Sequence, residues 1–398
     1  MFQQLERLNA DSILGLMAKY RADPETLKVD LGVGVYRDLN GNTPIPDCVR
    51  RSEREVLAAQ TTKSYVAAVG REEFNGAVQE LVLGLAHAAC RDRRAITVQT
   101  PGGCGALRLG AELIRAAAPS AAVHLSDPTW GNHSPLLGSA GLKLERYPYY
   151  DPRAHELRFE AMMQQLTRAP AGDVVLLHAC CHNPTGADLK PDQWQAVADL
   201  LQRRGLIPFL DLAYLGFASS LDDDAAPVRM IAQRVPEALI AISFSKNLGL
   251  YRERVGALIV IGENEARAAA VLSHTLQIAR GIYSMPPDHG AAIAARIFED
   301  AALKRDWIRE LESMRARIQE MRALLAQRLE DATGGGSFDF IRTQRGMFSL
   351  LGVSAQAVDR LREKHHIYMT ADGRMNLAGI TPHNVDYVAA AFAAERAT

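Results

Sequence analysis

Between residues 95 and 262 the chain alternates short apolar runs with amphipathic stretches, and this alternation limits its possible folds more than any other feature. The runs are AITVQT (95–100), AAVHLS (121–126), LKLERYPYY (142–150), DVVLLHACC (173–181), LIPFLD (206–211) and LIAISFS (239–245). Helical patterns lie between several of them, as in GALRLGAELIRAAA (105–118) and PDQWQAVADLLQRRG (191–205). Strand–helix–strand alternation predicts an α/β fold, a mainly parallel sheet with helices on both faces. VGALIVIG (255–262) follows the last run too closely for a helical crossover, so it is expected to pair as an antiparallel or hairpin-like neighbour.

The texture changes near residue 300. In the charged stretch 304–330, Trp307, Leu311, Met314, Ile318, Met321 and Leu325 recur every three or four residues. That spacing predicts one long helix with a single apolar stripe. A flexible turn, Thr333-Gly334-Gly335-Gly336-Ser337, then leads to strand candidates FDFI and MFSLLG and a last helix SAQAVDRLREKHH. A second, smaller α+β domain is expected there, with the boundary inside the long helix.

Charge narrows the function classes. In 398 residues, 45 Lys and Arg oppose 46 Asp and Glu, which leaves no electrostatic footprint for nucleic acid or an acidic membrane surface. No apolar run reaches the roughly 18 residues of a membrane helix, and MFQQLERLNADSILGLMAKY lacks a signal-peptide pattern. Five cysteines, with Cys180 and Cys181 adjacent, form neither a disulfide framework nor a CxxC metal pair. A cytoplasmic enzyme-sized chain without a metal site is the expectation.

Ligands of open α/β sheets sit at the carboxyl ends of the strands, and polar residues of distinct kinds follow these runs. PGGCGALRLG opens a helix with a Gly-rich turn, where bare backbone N–H groups can hold a phosphate. It lacks the GxGxxG spacing of a dinucleotide fingerprint. His182-Asn183-Pro184-Thr185-Gly186 reads equally as a loop. Asp211, with Tyr214 beyond it, ends an apolar run, where an acid is costly without a partner; a helix cap would also explain it. Lys246, flanked by Ser243 and Ser245, and Arg254 each admit a plain surface reading. Together they put a cation, an acid, an amide, a phenol and an anion-binding turn on one rim, which suits a charged, phosphorylated, aromatic cofactor.

SFSKNLGLYRERVGAL (243–258), HNPTG (182–186), DLAYLGF (211–217) and PGGCGALR (101–108) closely resemble class I pyridoxal-phosphate aminotransferases. The resemblance is nearest to the aspartate and aromatic-amino-acid enzymes and runs from DSILGL and LGVGVYRD to GRMNLAG. It implies a fold type I transferase with pyridoxal 5'-phosphate as cofactor. The implied division is an N-terminal arm and part of the small domain in 1–40, a large cofactor domain in 41–310 and a C-terminal small domain in 311–398.

By resemblance, Lys246 bonds to the cofactor's aldehyde and then serves as general base, a task that needs a depressed pKa. Asp211 pairs with the pyridine nitrogen, supported from behind by His133, while His178 lies behind the ring. Asn183 and Tyr214 reach the phenolic oxygen, and Trp130 stacks on the ring. Gly103, Cys104, Ser243 and Arg254 form the phosphate cradle. Tyr65 reaches the phosphate of the neighbouring subunit, so a homodimer with shared sites is implied. Arg374, beside the backbone of Gly34, clamps the substrate's α-carboxylate. Arg280 of the partner subunit takes the distal carboxylate, since guanidinium forks suit carboxylates.

Some positions depart from the family pattern. Cys104 replaces a Thr or Ser, a weaker donor to the phosphate. Leu215 replaces a Gln. Met285 replaces an Asn or Ser near the substrate and suits bulkier side chains. Val35, Arg37 and Thr43 instead resemble the aspartate-type lining, and Phe348 fits either type. The expected activity is transfer of the amino group of tyrosine, phenylalanine and aspartate to 2-oxoglutarate. The alternatives are a dedicated aspartate aminotransferase and a non-catalytic protein on the same fold.

Overall fold

The computed structural model describes residues 1–7 and 12–396, so Asp11 of the DSILGL segment lies outside the described residues. The centre is a seven-stranded sheet: β1 (Ala95–Pro101), β2 (Ala122–Asp127), β3 (Lys143–Pro148), β4 (Val174–His178), β5 (Ile207–Leu212), β6 (Ala238–Ser243) and β7 (Val255–Ile261). Its order is β1-β7-β6-β5-β4-β2-β3. β7 runs antiparallel to both neighbours, with Gly256 opposite Ser243 and Thr100, as its short connection requires. The pairings from β6 through β5, β4 and β2 to β3 are parallel.

Strands covered on both faces read as continuous apolar runs, and the core follows that rule. Val175 and Leu177 of β4 face one hydrophobic layer while Val174 and Leu176 face the other; Ile240 and Ile242 oppose Leu239 and Ala241 in β6 in the same way. The helix Gly102–Ala117 covers the second layer and packs so closely that a Cβ on Gly110 would lie 2.5 Å from the Phe209 ring.

The long helix spans Ala301–Thr333, and all six residues of its expected stripe are buried. Asp300 caps its start by accepting the N–H groups of Ala302 and Leu303, and Gly334 ends it at φ 66°. The Trp307 indole donates to the Asn247 carbonyl at 2.8 Å, tying this helix to the residue after Lys246. Elements distant in sequence meet beyond it. Val29–Asp30 pairs in parallel with Ile367–Tyr368, and Phe348–Leu350 pairs antiparallel with Arg374–Asn376.

Two expectations about local structure are corrected. FDFI is not a strand: Asp339–Thr343 forms a helical turn preceded by Phe338 at its N-cap, and Phe338 and Ile341, three apart, bury toward the long helix. Arg342 reinforces it through ion pairs to Glu330 and Asp339. LKLERYPYY is not one strand either. β3 stops at Pro148, which has no N–H to continue a ladder, and Tyr150–Asp151 starts a separate hairpin with Glu156–Leu157. Among the described residues no helix is long and apolar enough to cross a membrane.

Trp307 is fully buried and also hydrogen-bonded. Trp307→Ala is expected to destabilise the protein by about 3–5 kcal/mol in denaturant unfolding. A loss below about 1 kcal/mol would show that the indole does not anchor the long helix to the sheet.

Candidate active site

Lys246, Asp211 and Arg254 converge because of the sheet's topology. Asp211 sits at the carboxyl end of β5, opposite His178 of β4. Lys246 follows the end of β6 by three residues, and Arg254 immediately precedes the antiparallel β7, which returns it to the same edge. Gly103 and Cys104 occupy the first turn of the helix after β1, while Trp130 and His133 follow β2. All of these except His133, which backs Asp211 from behind, line a cavity of about 210 Å³ together with Gly34, His178, Asn183, Tyr214, Ser243, Phe348 and Arg374.

Asp211 is buried and its Oδ2 lies 3.0 Å from His133 Nε2; His133 Nδ1 is 2.8 Å from the Thr129 hydroxyl. Burial alone would raise the Asp211 pKa. The His133 hydrogen bond and the charges of His133, His178 and Lys246 outweigh it and hold the carboxyl below its ordinary range. The Lys246 pKa is lowered as well, but by a different balance of causes. Loss of solvent lowers its pKa first, and Arg254 and Arg374 add repulsion, against the opposing pull of Asp211 and Cys104. Its Nζ lies 5.0 Å from the centre of the Tyr214 ring.

The anion end of the cavity is built by close packing of bare backbone. Gly102 begins the helix at φ 70°, and a Cβ there would lie 2.5 Å from the Arg254 guanidinium. A Cβ on Gly256 would meet the Gly102 carbonyl carbon at 2.5 Å. The helix N-terminus and Arg254 are thus brought against one another, with Arg254 Nη1 fixed by the Ser245 hydroxyl and the Tyr251 carbonyl, each at 3.1 Å. Cys104 accepts a weak contact from Asn132 Nδ2 at 3.9 Å.

Arg374 closes the other end. It donates to Asn183 Oδ1 at 3.1 Å and to the Gly32 carbonyl at 2.8 Å, and its guanidinium lies 4.4 Å from the Phe348 ring centre. Its Nε, and both ring nitrogens of the buried His178, have no partner among the described residues. Unsatisfied polar groups lining a cavity leave hydrogen-bonding capacity for a ligand.

Three expected site residues lie elsewhere in this chain. Tyr65 is 91% exposed and lines a separate cleft with Met285, Arg71 and His289. Met285 is therefore not a wall of the Lys246 cavity within its own chain, because it follows the exposed end of the helix Glu265–Ile282. Arg280, on the last turn of that helix, is exposed and donates to Ser284 Oγ at 2.5 Å. Val35, Arg37 and Thr43 line a neighbouring cleft that shares Tyr251 with the cavity, and Arg37 is paired with Asp30. Leu215 is buried, its carbonyl accepting from Asn247 Nδ2 at 3.3 Å. Sequence reasoning missed Thr129, Tyr251, Ile13 and Leu107; Tyr251 stood inside the SFSKNLGLYRERVGAL string without any pattern to set it apart.

Known proteins resemble this chain over nearly its whole length. The family model for aminotransferase class I and II matches residues 26–392. The aromatic-amino-acid aminotransferase of Pseudomonas aeruginosa is 46% identical over 392 residues, 98% of each chain. The aspartate aminotransferase of Escherichia coli K12 is 43% identical over 385 residues, 97% of each chain. A crystal structure of the Burkholderia pseudomallei aromatic-amino-acid aminotransferase, covalently bound to pyridoxal phosphate, superposes with a TM-score of 0.96 at 42% identity over 99% of both chains. The chain belongs to the class I and II aminotransferases. Its architecture is that of the fold type I pyridoxal-phosphate transferases.

His178 gives a pH prediction. Burial first, and the His133 charge second, lower its pKa to about 3 from an ordinary 6.5. The unfolded chain then binds a proton below 6.5 that the folded protein refuses. Stability is fully present above that pH and falls as the pH drops toward 3, by about 1.4 kcal/mol per unit at most. Unfolding of wild type and His178→Asn between pH 7 and 4 should show a shallower loss in the variant. Equal slopes would contradict the assignment.

Proposed function

We propose that the protein transfers the amino group of aromatic and acidic L-amino acids to 2-oxoglutarate by a ping-pong reaction, with pyridoxal phosphate as cofactor. The observation that carries this reading is the half-buried Lys246 set between the His133-backed Asp211 and the cations Arg254 and Arg374. The residues present fit the cofactor. The bare helix N-terminus against Arg254 suits a phosphate, and an anionic Asp211 suits a protonated ring nitrogen. When bound, pyridoxal phosphate supplies an aldehyde carbon for the amino group and a ring that takes up the electron pair left when the Cα–H bond breaks.

The chain's own residues do the rest. Gly103, Cys104, Ser243 and Arg254 hold the phosphate, with Tyr65 of the partner subunit reaching it. Asp211, kept ionised by His133, holds the proton on the ring nitrogen. Asn183 and Tyr214 would hydrogen-bond the phenolic oxygen, and Trp130 would supply an apolar surface for the ring. Lys246, whose depressed pKa favours the neutral amine, would take the proton from the substrate's Cα and hold it on Nζ. Arg374, beside Gly34 and Phe348, grips the α-carboxylate. Arg280 of the partner subunit reads a distal carboxylate, and Met285 of the partner subunit gives that side room for a ring.

This reading includes a cytoplasmic homodimer with shared sites, without nucleic-acid or membrane partners. It also includes the domain division at residues 40 and 310 set out above. A dedicated aspartate aminotransferase is the second reading, favoured by Val35, Arg37 and Thr43 in the cleft beside Tyr251.

Lys246→Ala is expected to yield folded protein with turnover reduced at least about 10⁴-fold, the scale of losing both attachment point and base. Substantial residual turnover would overturn the mechanism. Arg280→Ala should lower kcat/KM for aspartate and glutamate by about 10²-fold and for phenylalanine by far less. Equal losses would show that Arg280 does not read the distal carboxylate.

A further inference from the structure

Asp188 and Arg322 bear charges that take no part in the chemistry proposed above. Asp188 follows the HNPTG turn, and Arg322 lies within the long helix, only 1% exposed. The Asp188 carboxylate accepts the Cys181 N–H at 2.7 Å through one oxygen and the His182 N–H at 2.8 Å through the other. These two residues directly precede Asn183, and Cys181 is held at φ 51°, a left-handed conformation that costs a residue with a Cβ. The Arg322 guanidinium donates to the carbonyls of Ile341 at 3.0 Å, Gly346 at 2.8 Å and Phe348 at 2.5 Å, and to Ser349 Oγ at 2.9 Å. A carboxylate gathers the donors of one segment; a guanidinium gathers the acceptors of the other.

The two segments meet backbone to backbone. The Arg345 N–H donates to the Gly186 carbonyl at 2.7 Å. A Cβ on Gly186 would lie 2.3 Å from the Phe348 oxygen, and one on Gly346 would lie 2.4 Å from Cys181 Cβ. Only glycine fits either position. The charges also support one another across the join. Burial raises the Asp188 pKa to about 6, opposed by the His182 and Cys181 amides and by Arg322. Burial likewise lowers Arg322 to about 10, opposed in part by Asp188.

Beyond the join lies Arg374. Asn183 on the first segment accepts its Nη1 at 3.1 Å, and Phe348 on the second lies under its guanidinium at 4.4 Å. We infer that Asp188 and Arg322 are positioning residues for carboxylate capture: they lock the Asn183 turn to the Phe348 strand and so fix both flanks of Arg374. The assignment rests on the reading that Arg374 grips the substrate's α-carboxylate. Removing either charge leaves buried donors or acceptors unpaired, and the flanks of Arg374 then lose their common register.

The test compares wild-type holoprotein with Asp188→Asn and Arg322→Lys. It measures kcat and KM for aspartate and phenylalanine and, by calorimetry, the Kd of succinate, a dicarboxylate without an amino group. Both KM values and the succinate Kd are expected to rise about tenfold, with kcat within about threefold of wild type. The double variant should rise no more than about twofold beyond the worse single one, because both act on one join. Asp188→Glu, which keeps the carboxylate, should recover part of the loss. Folded variants with unchanged KM and Kd and only a lower unfolding midpoint would reveal a merely structural role and overturn the inference. If Arg322→Lys gives no soluble holoprotein, Asp188→Asn and Asp188→Glu decide alone. Succinate binding needs no turnover, so a wild type that binds succinate without transaminating would contradict the proposed reaction and leave the pair to be judged on Kd.

Discussion

Withdrawing Lys246 and Asp211 from water at one edge of the sheet sets the terms for everything around them. Each charge is costly in that setting unless neighbours compensate it. Asp211 is compensated by His133 at 3.0 Å, and His133 in turn by Thr129 at 2.8 Å. Lys246 is left undercompensated, with two arginines adding to the penalty of burial, so its pKa falls while that of Asp211 also falls. An acid kept ionised and an amine biased toward neutrality, side by side, are what the proposed proton transfer requires.

The edge itself depends on one reversal of chain direction. Because β7 is antiparallel, its amino end lies beside the carboxyl ends of β1 and β6, which places Arg254 over the helix that starts at Gly102. A parallel strand at that position would have carried Arg254 to the opposite edge of the sheet. Arg374 performs a comparable join between distant segments, touching Gly32, Asn183 and Phe348 at once. Three parts of the chain separated by more than a hundred residues therefore share one guanidinium, and the Asp188–Arg322 join keeps two of them in register.

Much of this was legible in the sequence, for a physical reason. Runs buried on both faces are continuous and apolar, and they end where a polar residue has work at the strand edge; Asp211, Ser243 and the Gly102-Gly103 turn mark their own strand ends. The antiparallel placing of β7 followed from loop length alone. Less could be read where structure depends on remote partners. FDFI became a helical turn because its apolar faces find the long helix and not a strand. The pairing of Val29–Asp30 with Ile367–Tyr368 involves only two residues on each side, too few for any period to register. Asp188 and Arg322 look like ordinary surface charges in sequence, since the amides and carbonyls they satisfy belong to backbone that carries no side-chain signal. Tyr65, Arg280 and Met285 lie away from the cavity in their own chain, and no strand or helix period could have marked that separation.

The central claim is that Lys246, and no other lysine, bonds to the cofactor. The direct measurement is reduction of the pyridoxal-phosphate-loaded protein with borohydride, followed by proteolysis and mass mapping. The account predicts one phosphopyridoxyl group, carried on the peptide that contains Lys246. A modified lysine elsewhere, or no modified peptide from fully loaded protein, would contradict it.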